Sequence, residues 1–407
     1  MIFIFCPSKG YETFYLLIEA LKYELSLLGI ESIYTNTLQG VAINSTVICF
    51  GYQCLMITQF SYSKTIFNNY KIIIYNTEQL SSGKWDYMLN QFKKAVEIWD
   101  YSNNNIKFLS SIGINNTRYI PFAYSKTYEL INDVAYNNDR YNITNPNGGL
   151  AFIGTPNNRR DLILNNIEKY IPISKHSSTF FDNYIKLLKS NGIFVNIHYY
   201  IPSILEIVRI IPLICNRCCV ITEHSDDPIL DEIFSEYVNW IDFQSDYKEQ
   251  LISYINNSKE FADIAYNKFK NNFKYSDLLI SSGCITKLND LINTTNMIHD
   301  MLCESILSNM KETDKFNALY GTSNHYIDVT AKIYEHFIND NCIHIPEKCK
   351  FNDYFGDPLE NIPKTLIIII NNTISVLNND YICDYRSNKS MFIIPENNSF
   401  DLNIQLE

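Results

Sequence analysis

Short runs of β-branched and aromatic residues alternate with stretches of helical periodicity along the first 125 residues, stop in a polar segment, and then resume. Ile2–Cys6, Ile33–Tyr34, Val47–Phe50, Lys71–Tyr75, Ala95–Trp99 and Tyr119–Ile120 read as strands. Lys71–Tyr75 is nearly all β-branched or aromatic, as a strand buried on both faces requires. Between the first two strands, Phe14, Leu17, Ile18, Leu21, Leu25 and Leu28 recur three or four residues apart, and Gly29 ends the helix they predict. A second helix is predicted around Trp85–Lys94, and Ser102 can cap a third. Strands that alternate with helices need crossover connections, and crossovers produce a parallel sheet.

Residues 126–148 interrupt this pattern. Asn137-Asn138-Asp139 and the run Asn145-Pro146-Asn147-Gly148-Gly149 mark a turn-rich linker. The alternation restarts with the strand Leu150–Ile153, ended by Gly154. Thr155-Pro156 predicts a helix start, with Thr as cap and Pro in the first turn. Asn191-Gly192 is read as a turn into the strand Ile193–Ile197. A helix over Pro202–Cys215, bent or shortened by Pro212, is expected next. Val220–Thr222 and Trp240–Phe243 read as strands and Asp246–Ile255 as a helix, with helical patterns to about Met310. The last hundred residues differ. Asp328–Thr330, Ile343–Ile345 and Thr365–Ile370 read as strands, Phe355-Gly356-Asp357-Pro358 as a turn, and only Lys332–Ile338 as a helix. The expected division is an α/β domain over 1–125, the linker 126–148, a second α/β domain with trailing helices over 149–310, and a small β-rich accessory module over 316–407.

Composition narrows the function. With 46% hydrophobic and 19% charged residues the chain can bury ordinary cores. A formal net charge of −11 repels nucleic-acid phosphates, and Arg159-Arg160 is too small a basic patch to reverse that. No nucleic-acid partner and no transmembrane segment are expected. The 11 cysteines follow no regular spacing, so zinc or dithiol chemistry is not expected. Reduced, buried thiols fit a reducing compartment, so the expected location is the cytoplasm.

The most informative stretch runs from Val195 to Arg209. A buried strand ends in the polar residues Asn196 and His198, and a helix follows with Glu206 in its first turn and Arg209 three residues on. Strand C-termini and helix N-termini face the ligand crevice of an open α/β sheet, and a helix N-terminus favours anions such as pyrophosphate. Glu206 can accept hydroxyls from a ribose, and Arg209 can hold a phosphate or fix Glu206. The same spacing also suits a structural ion pair beside a core histidine.

These residues resemble a known family. Asn196-Ile197-His198-Tyr199-Tyr200, then Leu205-Glu206 with Arg209-Ile210, then Val220-Ile221-Thr222-Glu223, look like the donor-domain signature of GT-B glycosyltransferases. The pattern is similar to the group of glycosyltransferase families 1 and 4 and the CgeB-type spore proteins, over roughly residues 70–275. The resemblance implies two Rossmann-like domains facing across a cleft, with an acceptor domain first and a nucleotide-sugar donor domain second. It implies that Glu206 binds the ribose. The loop at Gly154 and Thr155, with the basic residue Arg159, would approach the diphosphate. Asn196, His198, Tyr199, Arg209 and Glu223 would line the donor site. Retaining members often carry two glutamates eight positions apart, whereas here the first position is His198, which could donate to a phosphate or sugar oxygen.

An inverting transfer needs a general base for the acceptor hydroxyl. The first histidine is His176, so the N-terminal domain must use a carboxylate: Glu78, Asp86 or Asp100. Glu78, in the family-like stretch Tyr75-Asn76-Thr77-Glu78-Gln79, is favoured. Glu78 and His198 are thus the candidate catalytic residues. No D-x-D triplet occurs, which fits transfer without a metal. No cofactor is expected, because the nucleotide-diphosphate sugar is itself the donor substrate. The acceptor is a glycan, a protein or a small molecule, and the C-terminal module is expected to serve docking or self-association. Two other functions fit the same residues: a nucleotide-sugar epimerase, and a catalytically silent sugar- or nucleotide-binding protein.

Overall fold

The computed structural model describes residues 1–38, 41, 44–131, 138–144, 149–295, 316–322, 325–339, 342–346, 349–356, 364–370, 384–386, 389–395 and 402–405. The chain divides into two compact units. The first comprises Met1–Tyr34, Ile48–Lys64 and Ile72–Lys287; the second comprises Thr35–Val47, Thr65–Lys71 and Leu288–Glu407.

Six strands form the first sheet: β1 (Ile2–Phe5), β2 (Ser32–Thr35), β3 (Thr46–Cys49), β4 (Lys71–Asn76), β5 (Glu97–Asp100) and β6 (Thr117–Tyr119). Their order is β2-β1-β3-β4-β5-β6, and β4, β5 and β6 pair in parallel. Ile72, Ile73 and Ile74 of β4 are buried on both faces, as their unbroken apolar run predicts. Each such side chain stabilises the sheet by roughly 1.5–3 kcal/mol. The helix Ser8–Leu27 lays Phe14, Leu17, Ile18, Leu21 and Leu25 on the core, and Ser102 caps Asn103–Ser111 by accepting from Asn104 N at 3.1 Å. Two further helices, Tyr52–Thr58 and Phe60–Asn69, do not stand out in the sequence, because each is too short to show a helical period over several turns.

The second sheet holds β7 (Gly149–Ile153), β8 (Ile173–His176), β9 (Asn191–Asn196), β10 (Cys219–Thr222) and β11 (Asn239–Trp240) in the order β11-β10-β9-β7-β8, all parallel. Leu150, Phe152, Ile193, Val195 and Ile221 centre its core. Four local expectations are corrected. Asn191 and Gly192 lie inside β9 rather than in a turn before it. The cap of the next helix after β7 is Asn157, whose side chain accepts from Arg160 N at 2.8 Å, so the helix is Asn158–Glu168 and Thr155-Pro156 precede it as loop. The helix expected from Pro202 begins only at Ile207, with Glu206 at its cap position. The strand near Trp240 ends there rather than at Phe243.

The linker region contains short 3-10 turns at Lys126–Tyr128 and Asn138–Tyr141, while 132–137 and 145–148 lie outside the described residues. Arg140 is buried and donates to the carbonyls of Leu188 and Asn216 at 2.8 and 2.7 Å. After the second sheet the chain returns to the first. Tyr275 N donates to Tyr124 O at 2.9 Å, and the Tyr75 and Tyr275 hydroxyls are 2.9 Å apart.

The second unit contains the β-rich module expected from the C-terminal sequence, and its strands pair antiparallel. Strands β12 (Phe316–Thr322), β13 (His325–Asp328), β14 (Ile338–Asn339), β15 (Cys342–Ile345), β16 (Thr365–Ile370), β17 (Asp384–Arg386), β18 (Lys389–Pro395) and β19 (Leu402–Gln405) form two sheets, β13-β12-β16-β18-β17 and β14-β15-β19. Phe316, Tyr320, Ile333, Phe351 and Ile368 lie in one core with the helix Thr330–His336, whose first residue is Thr330 rather than the end of a strand. Asp357-Pro358 of the expected turn, and 296–310 of the expected trailing helices, lie outside the described residues. No helix among the described residues is long and apolar enough to cross a membrane.

Candidate functional site

The carboxyl ends of the two parallel sheets face each other. On the first, β4 ends in Asn76, which is in register with Asp100 of β5 and donates to it at 2.7 Å. On the second, β9 ends in Asn196, which is in register with Thr222 of β10 and donates to its hydroxyl at 3.0 Å. The loops after these strands meet. Gln79 Nε2 donates to Ile204 O, and Ile204 N donates back to Gln79 Oε1, both at 3.1 Å. Ser102 Oγ donates to Asp227 at 2.5 Å, and Lys84 Nζ donates to the Tyr200 hydroxyl at 3.0 Å.

Asn196, His198, Glu206 and Arg209 converge, as the sequence predicts. Glu206 Oε2 accepts from Asn196 Nδ2 at 2.9 Å and lies 2.8 Å from His198 Nδ1. Arg209 donates to Asn196 Oδ1 at 2.6 Å, so it fixes Glu206 through Asn196 rather than directly. Glu206 Oε1 has a long contact with Tyr199 N (3.4 Å) and an ion contact with Arg160 Nη2 (3.7 Å). Burial by itself pushes the Glu206 carboxyl up, but His198, Arg209 and Asn196 together hold it below the usual carboxylate range.

His198 does not stand where it was expected to act. Its Nε2 lies 3.1 Å from His224 O, and its Nδ1 faces Glu206. Both neighbours are acceptors, so both ring nitrogens must donate, and the ring is an imidazolium. Burial pulls the His198 pKa down, yet Glu206 and Glu223 outweigh it and raise it. With its nitrogens occupied and the residue 2% exposed, His198 cannot also donate to a phosphate or a sugar.

Arg159 is likewise committed to the protein. It forms a bidentate pair with Glu223 and also donates to His198 O at 3.1 Å, while His198 N donates to Glu223 Oε2 at 2.9 Å. Glu223 therefore anchors the loop after β9 from the end of β10. Arg159, expected to approach the diphosphate, is thus a contact within the protein, and its neighbour is more deeply placed. Arg160 is buried, donates to Ile197 O at 2.9 Å and Thr155 O at 2.7 Å, and lies across the Phe152 and Tyr199 rings. The signal was available, since Arg160 shares the buried face of its helix with Leu164 and Ile167, four and seven residues on. Burial, with Arg209 nearby, lowers its pKa to about 10.

Gly154, Thr155 and Arg209 line one cavity of about 370 Å³ together with Glu12, Thr13 and Tyr15 of the first helix. A Cβ on Gly154 would stand 2.9 Å from the Phe152 ring and 3.0 Å from Arg160 Nη1, so any larger residue would make one of these side chains shift. A broader surface groove beside β8 contains none of the expected site residues.

Across the cleft, Glu78 follows β4 and accepts from Gln53 Nε2 at 2.7 Å. Burial raises its pKa, with Lys84 and Gln53 opposing. Burial, and then the charges of Asp100, Glu206, Glu78 and Asp227, raise the pKa of the Tyr101 hydroxyl. Asp100 is excluded as a base, because both its oxygens accept from Asn76, Ser102 and Asn105 inside the protein. Asp86 is exposed at the start of the helix Asp86–Phe92.

Against the expectation of no regular cysteine spacing, Cys215 and Cys218 stand in C-x-x-C spacing. Both are buried, and burial pushes the Cys218 thiol up to about 11 and also raises Cys215 well above the ordinary thiol value, so both are poor nucleophiles. Among the described residues, no group of three His, Cys, Asp or Glu side chains is placed to hold a metal ion.

No protein family and no curated protein matches the sequence. Solved structures do resemble the fold. Anabaena HepE (Alr3699), solved with UDP and glucose, is 9% identical over 73% of this chain and 99% of its own, with a TM-score of 0.47. A glycosyltransferase from Rickettsia africae is 13% identical over 72% of this chain and 98% of its own, at 0.40. An α1,3-fucosyltransferase is 12% identical over 69% of this chain and 88% of its own, at 0.40. All three scores lie below 0.5, so what this site does rests on its own side chains.

Proposed function

We propose that the protein is a glycosyltransferase that moves a sugar from a nucleotide-diphosphate sugar to an acceptor hydroxyl. The observation that carries this reading is the pair of carboxylates in the loops that follow the two parallel sheets, loops that bond each other through Gln79 and Ile204. Glu206 is held ionised on the second sheet, and Glu78 is held with a raised pKa on the first. Two titratable groups pushed in opposite directions by their surroundings suit distinct roles.

The donor would lie along the ends of β7, β9 and β10. Glu206 Oε2 is taken by Asn196 and His198, but Oε1 has only long contacts and keeps capacity for a ribose hydroxyl. The diphosphate would occupy the cavity at Gly154 and Thr155, where Arg209 supplies positive charge. That cation, with the start of the Ile207–Cys215 helix, can stabilise the leaving group without a metal. Glu78 would take the proton from the acceptor oxygen as that oxygen bonds to the anomeric carbon. The bond from that carbon to the diphosphate breaks, and its electrons leave with the diphosphate. His198, Arg159, Arg160 and Glu223 act through other residues, by positioning Glu206 and the two loops.

A second reading is a binding protein without turnover. Its support is the near-complete satisfaction of His198 and Arg159 by protein partners.

A thermal-shift screen against UDP-, GDP-, dTDP- and CMP-sugars tests donor binding. A ligand at a hundred times its Kd stabilises the folded state by about 2.7 kcal/mol. Glu206→Ala and, as a variant outside the buried pair, Arg209→Met should both abolish the shift. Transfer or hydrolysis of the bound donor then separates the enzyme from the binding protein. A shift with no nucleotide-sugar would reject both readings.

A further inference from the structure

The cavity of about 370 Å³ at Gly154 has two chemically different walls. Gly154, Thr155 and Arg209 come from the second sheet and its connections, whereas Glu12 and Thr13 come from the helix Ser8–Leu27 beside the first. Ring contacts show which face of that helix is turned to the cavity. Tyr15 lies one turn after Glu12 and on the same face, and its ring is 4.5 Å from that of Phe181. The Tyr11 ring is 6.2 Å from the same phenyl group. Phe181 directly follows the segment Ser178–Phe180, which also lines the cavity. Both charged groups on the walls have spare capacity. Among the described residues, nothing donates to the Glu12 carboxylate, and it forms no ion pair with Arg209. Arg209 gives one N–H to Asn196 Oδ1 at 2.6 Å, and a guanidinium has five.

A carboxylate accepts hydrogen bonds and donates none, so its wall suits hydroxyl groups and repels a second carboxylate. The guanidinium wall suits an anion. One ligand that satisfies both carries a phosphate at one end and uncharged hydroxyls at the other. We propose that Glu12 selects the donor's sugar: the ring lies against the Ser8–Leu27 helix, its hydroxyls donate to Glu12, and a sugar with its own carboxylate is refused. The assignment rests on the glycosyl-transfer reading, which puts the diphosphate at Gly154, Thr155 and Arg209 and the ribose at Glu206, and it adds the class of sugar. The sugar is bonded to the diphosphate on the side away from the ribose. The wall left for it in this cavity is the one that Glu12 and Thr13 form. A cavity of this size is small for a ligand site, so a ring held next to the diphosphate stays within reach of Glu12.

The test measures binding to the full chain by titration calorimetry. The probes are UDP-glucose against UDP-glucuronate, and GDP-mannose against GDP-mannuronate. In the series that binds, the neutral sugar should bind about fivefold to tenfold more tightly than its uronate, the size of one like-charge contact in a partly solvated site. This preference should shrink as salt is raised, because the contact is screened. Glu12→Gln should bring the two affinities together, and Glu12→Lys should reverse their order. Both sugars of a pair carry the same nucleotide, so the ratio within each variant cancels any effect on the diphosphate. Glu12 is exposed on its helix, and thermal melts without ligand check that the variants are folded. A ratio that neither substitution changes, or a wild type that prefers the uronate, overturns the assignment of Glu12 while the transferase reading stands. Absence of binding by any nucleotide-sugar removes the transferase reading, and the sugar assignment falls with it.

Discussion

His198 Nδ1 and Glu206 Oε2 lie 2.8 Å apart, eight residues from each other in sequence, with His198 Nε2 turned to the carbonyl of His224. The ring is held between two acceptors, and Glu206 is thereby held as an anion at the cap of its helix. A residue that looked like a substituted catalytic acid is the counter-ion of the acid that remains.

This pair sets a pH dependence of stability. The folded pKa of His198 is raised, so its contribution is complete below the unfolded value of about 6.5 and is lost as pH rises through the folded one. The folded pKa of Glu206 is lowered, so its contribution is complete above about 4.5 and is lost as pH falls through the folded one. His198→Gln should therefore lower the Tm most between these limits. The gap from the wild type should narrow as pH rises above neutrality, as read by thermal melts across a pH series. A gap that stays constant with pH would mean that His198 is neutral in the folded protein.

Glu78 is expected to carry the acceptor's proton. Glu78→Gln should reduce transfer by about 10²–10⁴-fold, the usual contribution of a positioned base, with the donor's thermal shift retained. In the wild type, transfer should fall as pH drops through the raised pKa of Glu78, because only the ionised carboxylate can accept the proton. Full activity in the glutamine variant would move the base elsewhere.

Arg160 joins the loops after β7 and β9 through the carbonyls of Thr155 and Ile197. Arg160→Met keeps much of the side-chain volume but strands both carbonyls and removes a cation beside Glu206. The expected loss is about 3 kcal/mol in urea unfolding. Arg160→Lys should recover little of it, since one ammonium cannot reproduce the planar fork.

Gln79 links the two sheets by bonding Ile204 in both directions. Gln79→Leu leaves two buried backbone groups unpaired, at about 1–3 kcal/mol each. It should lower the Tm and the transfer rate together, whereas a change in neither would show that the halves are held by other contacts.

Gly154→Ala should destabilise the protein by about 1–3 kcal/mol, because the new methyl group meets the Phe152 ring and the Arg160 guanidinium. Donor affinity should drop as well, measured by the same thermal shift.

The alternation of apolar runs and helical periods was enough to place two parallel sheets and a β-rich tail, because burial acts on local pattern: Ile72–Ile74 and Leu150–Phe152 have to be inside wherever the chain goes. The strand ends also marked Asn196, His198, Glu206 and Arg209 as neighbours. What the linear pattern left undecided was the partner of each polar group. Arg159 and Glu223 are 64 residues apart, Gln79 and Ile204 are 125 apart, and Ser102 and Asp227 are also 125 apart. Such pairings depend on which loops the two sheets bring together. Only tertiary packing could turn His198 into a buried cation, occupy Arg159, and leave Arg209 lining the cavity at Gly154.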